Sequence, residues 1–147
     1  MKKTKTRPPY HDDGRTRFPQ RGAPGAYLIY KEGLISNTLR YVGYSGTDVY
    51  KALYRHFQTW NDDREQYRPG AGRRKRVTYP KGGYLVRVVY CRTGAEAQAL
   101  ETALILKHRP PDNLEKFEGY QLNAYADSLL KKEGSAAYLR RDEEDPF

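Results

Sequence analysis

Cysteine, tryptophan and methionine each occur once in this chain of 147 residues, and long apolar runs are absent. A single cysteine, Cys91, excludes an internal disulfide framework and any metal site built from four cysteines. Because Cys91 lies in an apolar strand pattern, we expect it to be a small buried hydrophobic side chain. No apolar stretch approaches the roughly 20 residues of a membrane span, and none follows the basic N-terminus as in a signal peptide. The expected compartment is therefore the cytoplasm.

Basic residues are abundant, with 27 Lys and Arg against 18 Asp and Glu and a formal net charge of +9. Residues 1–22 carry seven of the cations and residues 64–87 carry eight, whereas residues 142–145 are all acidic. Two dense basic clusters on a small domain favour a polyanionic partner. The expected partner is DNA, with RNA left open as an alternative, and no membrane.

Composition divides the chain into three parts. Residues 1–22 are rich in Lys, Arg, Pro and Gly and lack apolar periodicity, which predicts a flexible basic arm. Residues 23–133 contain every segment with strand or helix character and are predicted to form one domain. Residues 134–147 are predicted to be a C-terminal tail.

Residue patterning predicts an α+β fold in which a small three-stranded, mainly antiparallel sheet is flanked by helices. Thr93 and Glu96 form a capping-box pattern that opens one helix, and Pro110-Pro111 ends it. The stretch between Trp60 and Gly83 is predicted to be a long functional loop. The predicted strands lie near 26–30, 39–44 and 84–91, and the predicted helices near 49–59, 94–108 and 124–132.

Two tyrosine motifs lie on the first two predicted strands, with their tyrosines fourteen positions apart. They are Gly25-Ala26-Tyr27 and Tyr41-Val42-Gly43, followed by a short helix pattern that ends Tyr54-Arg55-His56-Phe57. Glu101 and Asn113 lie further along. From residue 25 to about residue 113, this order resembles the GIY-YIG nuclease family, with Ala26 in place of the isoleucine.

The resemblance implies a metal-dependent endonuclease that hydrolyses phosphodiester bonds in DNA. By resemblance, Tyr27 and Tyr41 would orient or deprotonate the attacking water, Glu101 would hold Mg²⁺ or Mn²⁺, and Asn113 would support the site. A hard divalent cation with an oxygen ligand suits this reaction because it neutralises the anionic phosphate. A phenol has a pKa near 10, so a tyrosine acting as a base requires a nearby cation.

The catalytic arginine departs from the family pattern. Ten residues after Tyr41 stands Lys51, and four residues before His56 stands Ala52. Arg55 could take the role with Lys51 as a second phosphate contact, Lys51 could act alone without a guanidinium fork, or the site could be catalytically weak. We favour Arg55, because its i,i+4 spacing from Lys51 lets it reach the same cleft. His56 is expected to pack inward, with an acid–base role as the alternative.

The basic loop supplies the residues expected to bind nucleic acid. Phosphate contacts position a protein without specifying sequence, so specificity is expected from this loop, from the N-terminal arm or from another protein. Trp60, Tyr67 and Tyr79 interleave with the loop; we favour their pinning it to the domain over their stacking on bases. The expected phosphate contacts are Arg64, Arg68, Arg73, Arg74, Lys75, Arg76 and Lys81.

Two other functions fit the sequence. One is a non-catalytic nucleic-acid-binding module on the same scaffold, and the other is a basic structural or interaction protein. Each motif residue has an ordinary explanation when taken alone, since Tyr favours sheets, Asn113 suits a turn and Glu101 suits a solvated helix. The nuclease hypothesis therefore rests on the ordered set of residues.

Overall fold

The computed structural model describes residues 1–58, 65–68, 72–75 and 77–116 of the chain. These residues form an α+β fold with a four-stranded antiparallel sheet and, apart from it, a two-stranded ribbon. The sheet strands are β1 (Lys2–Lys3), β2 (Gly25–Lys31), β3 (Thr38–Ser45) and β6 (Tyr84–Tyr90), and the ribbon strands are β4 (Glu65–Arg68) and β5 (Gly72–Lys75). The helices are α1 (Val49–Tyr54) and α2 (Gly94–His108), with 3₁₀ segments at Arg55–Phe57 and Pro111–Lys116.

The sheet separates two hydrophobic clusters because side chains alternate between its faces along each strand. The strand order is β1-β6-β2-β3, so β2 is paired on both sides, with β3 and with β6. Tyr27 and Tyr41 belong to the cluster on the α1 side, which also contains Leu53 and Phe57. The opposite cluster places Leu28, Val42 and Val89 against α2, with Ala97, Leu100, Leu104 and Ile105.

Helix α2 confirms its predicted range and cap. The Thr93 hydroxyl accepts a hydrogen bond from the Glu96 amide at 3.1 Å, which satisfies one of the unpaired amides of the first turn. The Glu96 carboxylate does not complete the reciprocal bond to Thr93 but accepts one from the Arg92 amide at 3.4 Å. At the other end, Arg109 adopts a left-handed conformation with φ 46°, and its amide bonds to the Ile105 carbonyl.

Helix α1 is shorter than the predicted span of 49–59. It ends at Tyr54, and the chain tightens into a 3₁₀ turn over Arg55–Phe57. Such turns are frequent at the C-terminal ends of α-helices. The tightening matters for the site, because Arg55 and His56 lie on this turn rather than on a regular helix.

The N-terminal segment differs from the predicted flexible arm. Strand β1 pairs antiparallel with the outer edge of β6, and the Thr4 amide continues the pairing with a bond to the Val88 carbonyl. Arg7 exchanges two main-chain bonds with Val86, and Pro9 and Phe18 are buried. Composition gives no sign of this strand, because β1 is held by backbone hydrogen bonds to the open edge of β6 and not by apolar side chains.

The predicted loop between Trp60 and Gly83 contains the β4–β5 ribbon, in which Tyr67 lies opposite Arg73 and Glu65 opposite Lys75. The loop prediction was therefore wrong at these residues, because mostly polar and charged residues carry little strand signal. Cys91 is buried, as predicted. The predicted helix near 124–132, the tail at 134–147, Trp60, Arg64 and Arg76 lie outside the described residues. Among the described helices, none has the length and apolar character needed to cross a membrane.

Candidate active site

The two motif glycines explain how Tyr27 is placed. Tyr27 lies directly opposite Gly43 across the β2–β3 pair, and its ring covers that glycine. A methyl group built on Gly43 would lie 2.4 Å from both the Cζ and hydroxyl oxygen of Tyr27. A methyl group on Gly25 would lie 2.6 Å from the Val89 carbonyl oxygen of the neighbouring strand. Both glycines are therefore required by close approach, one of a side chain and one of the backbone.

The hydroxyl of Tyr27 lies 2.8 Å from Nε2 of His56, and both side chains are buried. The other ring nitrogen of His56, Nδ1, lies 2.7 Å from the Val77 carbonyl oxygen. Because a carbonyl only accepts, Nδ1 carries the proton, and Nε2 of the neutral ring accepts the proton of the Tyr27 hydroxyl. The chain thus sets the tautomer that makes His56 a proton acceptor for Tyr27.

Three aromatic rings surround His56 in this buried cluster. Its ring centroid lies 4.8 Å from that of Tyr41, 5.5 Å from that of Tyr27 and 6.2 Å from that of Tyr79. These spacings fall in the range in which aromatic pairs attract one another. His56 therefore packs inward, as expected from the sequence, while both its nitrogens stay engaged.

Burial is the largest influence on the pKa of Tyr27. It holds the pKa of this phenol well above its ordinary value of 10, and the nearby Tyr41 and Glu101 raise it further. The positive charge of Arg55 opposes the shift and lowers the Tyr27 pKa. Tyr27 is therefore a neutral phenol that donates its proton to the hydrogen bond with His56. A positive charge brought close to Tyr27 would lower its pKa and favour the ionised phenolate.

The two candidate phosphate cations occupy different positions. Lys51 is exposed on α1, whereas Arg55 is half-buried on the 3₁₀ turn next to His56. Arg55 is also the cation whose charge acts on Tyr27. Of the three alternatives for the family's arginine, this placement favours Arg55.

Glu101 is 2% exposed in the middle of α2, so it is not the solvated helix residue that its type alone suggests. Its charge raises the pKa of Tyr27 and, after the larger effect of burial, that of Tyr44. The carboxylate therefore lies within electrostatic range of the phenol that bonds to His56. Within the described ranges, no three His, Cys, Asp or Glu side chains gather where they could hold a metal ion.

Asn113 is fully buried and clamps the second tyrosine motif through the backbone. Its side-chain oxygen accepts a bond from the Val42 amide at 2.8 Å, and its side-chain nitrogen donates to the Val42 carbonyl at 2.9 Å. These bonds complete the hydrogen bonding of Val42 at the edge of the sheet. Asn113 is thus placed to hold β3, and with it Tyr41 and Gly43, in position.

We expect Asn113→Ala to lower the free energy of unfolding by about 2–4 kcal/mol, because it leaves the buried amide and carbonyl of Val42 without partners. Urea denaturation followed by circular dichroism measures the change. A suitable control is Asn37→Ala at the β2–β3 turn, where the side chain accepts a long 3.4 Å bond from the exposed Gly33 amide. Equal losses in the two variants would contradict the clamp.

A second clamp includes residues that the sequence did not indicate as part of the site. The Tyr79 hydroxyl donates to Asp112 at 2.6 Å, and the same carboxylate accepts two bonds from the Arg40 guanidinium, the shorter at 2.8 Å. Tyr79 is buried, and its amide bonds to the His56 carbonyl at 2.6 Å. The clamp fixes the segment whose Val77 carbonyl sets the His56 tautomer. Tyr79 thereby pins this segment to the domain, the role favoured from the sequence.

Four of the residues expected to bind nucleic acid lie on the β4–β5 ribbon. Arg68 is on β4, and Arg73, Arg74 and Lys75 are on β5. Lys81 lies past the ribbon, with its Nζ 4.9 Å from the centroid of the Tyr10 ring. The structure brings Tyr27, Tyr41 and His56 into direct contact. Arg55 and Glu101 act on Tyr27 through their charge, and Asn113 bonds to the backbone of β3. Comparison with protein-family models, with curated proteins and with solved structures gives no match to the chain.

Proposed function

We propose that the protein is a metal-dependent DNA endonuclease of the GIY-YIG type, which hydrolyses phosphodiester bonds at the Tyr27–His56 cluster. The observation that carries the proposal is the 2.8 Å contact from the Tyr27 hydroxyl to His56 Nε2, in a ring whose Nδ1 is held by Val77. A phenol bonded to a neutral imidazole has an acceptor ready for its proton. The net charge of +9 supports a nucleic acid as the substrate.

In the proposed reaction, Tyr27 and His56 move one proton in two linked transfers. Water gives a proton to the Tyr27 oxygen as the hydroxyl proton of Tyr27 passes to Nε2 of His56. The water oxygen forms a bond to phosphorus, the bond from phosphorus to the leaving oxygen breaks, and the leaving oxygen takes a proton from solvent water, while His56 later returns its extra proton to solvent. Arg55 would donate to the phosphate oxygens as negative charge builds on them. Tyr41, packed on His56, orients the ring and the water.

Glu101 is the residue that would hold Mg²⁺ or Mn²⁺. Its carboxylate is a hard oxygen ligand, and Mg²⁺ in proteins often keeps several waters and binds through one carboxylate and substrate phosphate. The donor chemistry therefore fits, while the 2% exposure of Glu101 means that a hydrated ion reaches it only when the cluster opens. When bound, the ion would neutralise the phosphate and favour ionisation of the attacking water.

The same burial favours a second candidate function, a nucleic-acid-binding module without cleavage activity. Tyr27, Tyr41, His56 and Glu101 are each at most 6% exposed. A substrate phosphate must reach these groups for hydrolysis, whereas binding through surface cations requires no opening. The two candidates therefore differ in whether bound DNA is cut.

Incubation with supercoiled plasmid distinguishes the two candidates. In Mg²⁺ or Mn²⁺ we expect the wild-type protein to convert the plasmid to the nicked form, and Glu101→Ala to bind it without nicking. Glu96→Ala is a matched control, because this buried glutamate of the same helix accepts bonds from Arg92 and is not among the charges that act on Tyr27. Binding without nicking by the wild type in either ion would support the module and reject the nuclease.

A further inference from the structure

The β4–β5 ribbon lies in the chain between two segments that bond to the turn carrying His56. Before the ribbon, the Gln58 amide bonds to the Arg55 carbonyl at 3.4 Å, at the end of the 3₁₀ turn. After it, the Tyr79 amide bonds to the His56 carbonyl at 2.6 Å, and the Val77 carbonyl accepts from His56 Nδ1. The C-terminal end of the ribbon is thus held at the residue that bonds Tyr27, because Val77 lies two positions past Lys75. A ligand that engages the Lys75 end of the ribbon is therefore held close to the candidate active site.

The register of the ribbon assigns cationic positions to both of its faces. In an antiparallel pair, residues directly opposite one another share a face, and successive residues alternate. Arg73, opposite Tyr67, and Lys75, opposite Glu65, therefore share one face. The other face carries Arg74, opposite Gln66, and Arg68, opposite Gly72. If either face of the ribbon packed on a protein core, cations would be buried against that core. Cations on both faces are better suited to a ligand that is anionic on both sides of the ribbon.

The dimensions of the ribbon match the major groove of duplex DNA. Strands of four residues are about 13 Å long at 3.3 Å per residue. The B-form major groove is about 12 Å wide and 8.5 Å deep, admits a two-stranded β-ribbon and has phosphates along both walls. The major groove of A-form RNA is too narrow for side chains to read, and a single strand has no groove. Groove shape and charge therefore favour B-form duplex DNA over duplex RNA and single strands.

We propose that the β4–β5 ribbon enters the major groove of B-form duplex DNA, with the cations of its two faces on opposite phosphate walls. This inference rests on the proposed function and deepens it, since it names duplex DNA as the substrate and the ribbon as the element that docks it. Through its Lys75 end, held at His56 by Val77, the ribbon then presents a phosphodiester of the docked duplex to Tyr27 and His56. The ribbon also gives the protein a means of contacting base edges.

Fluorescence anisotropy tests the proposal with Glu101→Ala protein, in EDTA, on labelled duplex DNA, duplex RNA and single-stranded DNA of one sequence. The ribbon variant combines Arg73→Ala with Arg74→Ala, one cation from each face. The control combines Lys5→Ala with Lys31→Ala, two exposed cations outside the ribbon, so both variants lose the same charge. We expect the ribbon variant to bind duplex DNA about 10- to 100-fold more weakly, with a salt dependence lower by about 1.8 in log–log slope.

Equal affinity of the ribbon variant and the control for duplex DNA would overturn the proposal. Tighter binding of single-stranded DNA or of duplex RNA than of duplex DNA by the parent protein would also overturn it. Plasmid nicking by the otherwise wild-type protein is scored separately. Nicking with no ribbon effect on binding rejects the ribbon and keeps the nuclease, whereas ribbon-dependent duplex binding without nicking rejects the nuclease and keeps the ribbon.

Discussion

Gly43→Ala is expected to abolish detectable plasmid nicking, with a loss of at least about 100-fold, and to destabilise the fold by about 1–3 kcal/mol. The new methyl group would lie 2.4 Å from the end of the Tyr27 ring, which is only 3% exposed and cannot move aside freely. The ring must leave its place, and the bond to His56 is lost. Without this clash, Gly43→Ala would stabilise the folded protein slightly, because alanine lowers the conformational entropy of the unfolded chain.

Gly82→Ala is the matched control for Gly43→Ala, because a methyl group there meets nothing within 4 Å and the glycine has no positive φ. Its unfolding free energy should stay within about 0.5 kcal/mol of the wild type. A double-mutant cycle with Tyr27→Ala isolates the contact, with an expected coupling of about 1–3 kcal/mol. Additive losses, or full nicking by Gly43→Ala, would show that the ring does not depend on this glycine.

His56→Gln is expected to reduce nicking by about 10²- to 10⁴-fold, the usual contribution of a positioned acid or base. A glutamine can accept the Tyr27 hydrogen bond through its amide oxygen but cannot take up the proton. The stability loss should be smaller than that of His56→Phe, which leaves the Tyr27 hydroxyl and the Val77 carbonyl buried without their partner. Nicking rates and urea midpoints of the two variants provide the comparison.

The two His56 variants separate proton transfer from packing. If packing alone matters, the phenylalanine variant retains more nicking than the glutamine variant, since a ring still fills the space among Tyr27, Tyr41 and Tyr79. If proton acceptance matters, both lose nicking to a similar extent while differing in stability. Wild-type nicking by His56→Gln would remove His56 from the chemistry.

The main strands and α2 could be predicted because their signals are local. The apolar runs at 26–30, 39–44 and 84–91 fall within observed strands or pass their ends by one residue, and the Thr93 cap fixes the start of α2. Strand β1 could not be predicted in this way. Its two lysines are poor strand formers, and its partner is the edge of a strand more than 80 positions away.

The sequence indicated residues for the candidate site but not the hydrogen bonds that join them. The spacing of the tyrosine motifs with Glu101 and Asn113 indicated which side chains to consider. It gave no sign that Val77 fixes the His56 tautomer or that Asp112 joins Arg40 to Tyr79, because these partners lie 21 to 72 positions apart in the chain. Backbone carbonyls also carry no residue-specific signal. Arg55 could be favoured over Lys51 only by spacing, and its charge effect on Tyr27 emerges from the tertiary structure.

The rate of plasmid nicking by Tyr27→Phe, measured at saturating protein in Mg²⁺ or Mn²⁺, tests the central claim most directly. The substitution removes one oxygen atom and leaves the ring that packs over Gly43. We expect nicking at least about 100-fold slower than in the wild type, with DNA affinity unchanged. Nicking by Tyr27→Phe at the wild-type rate would contradict the proposal that the Tyr27–His56 pair performs the chemistry.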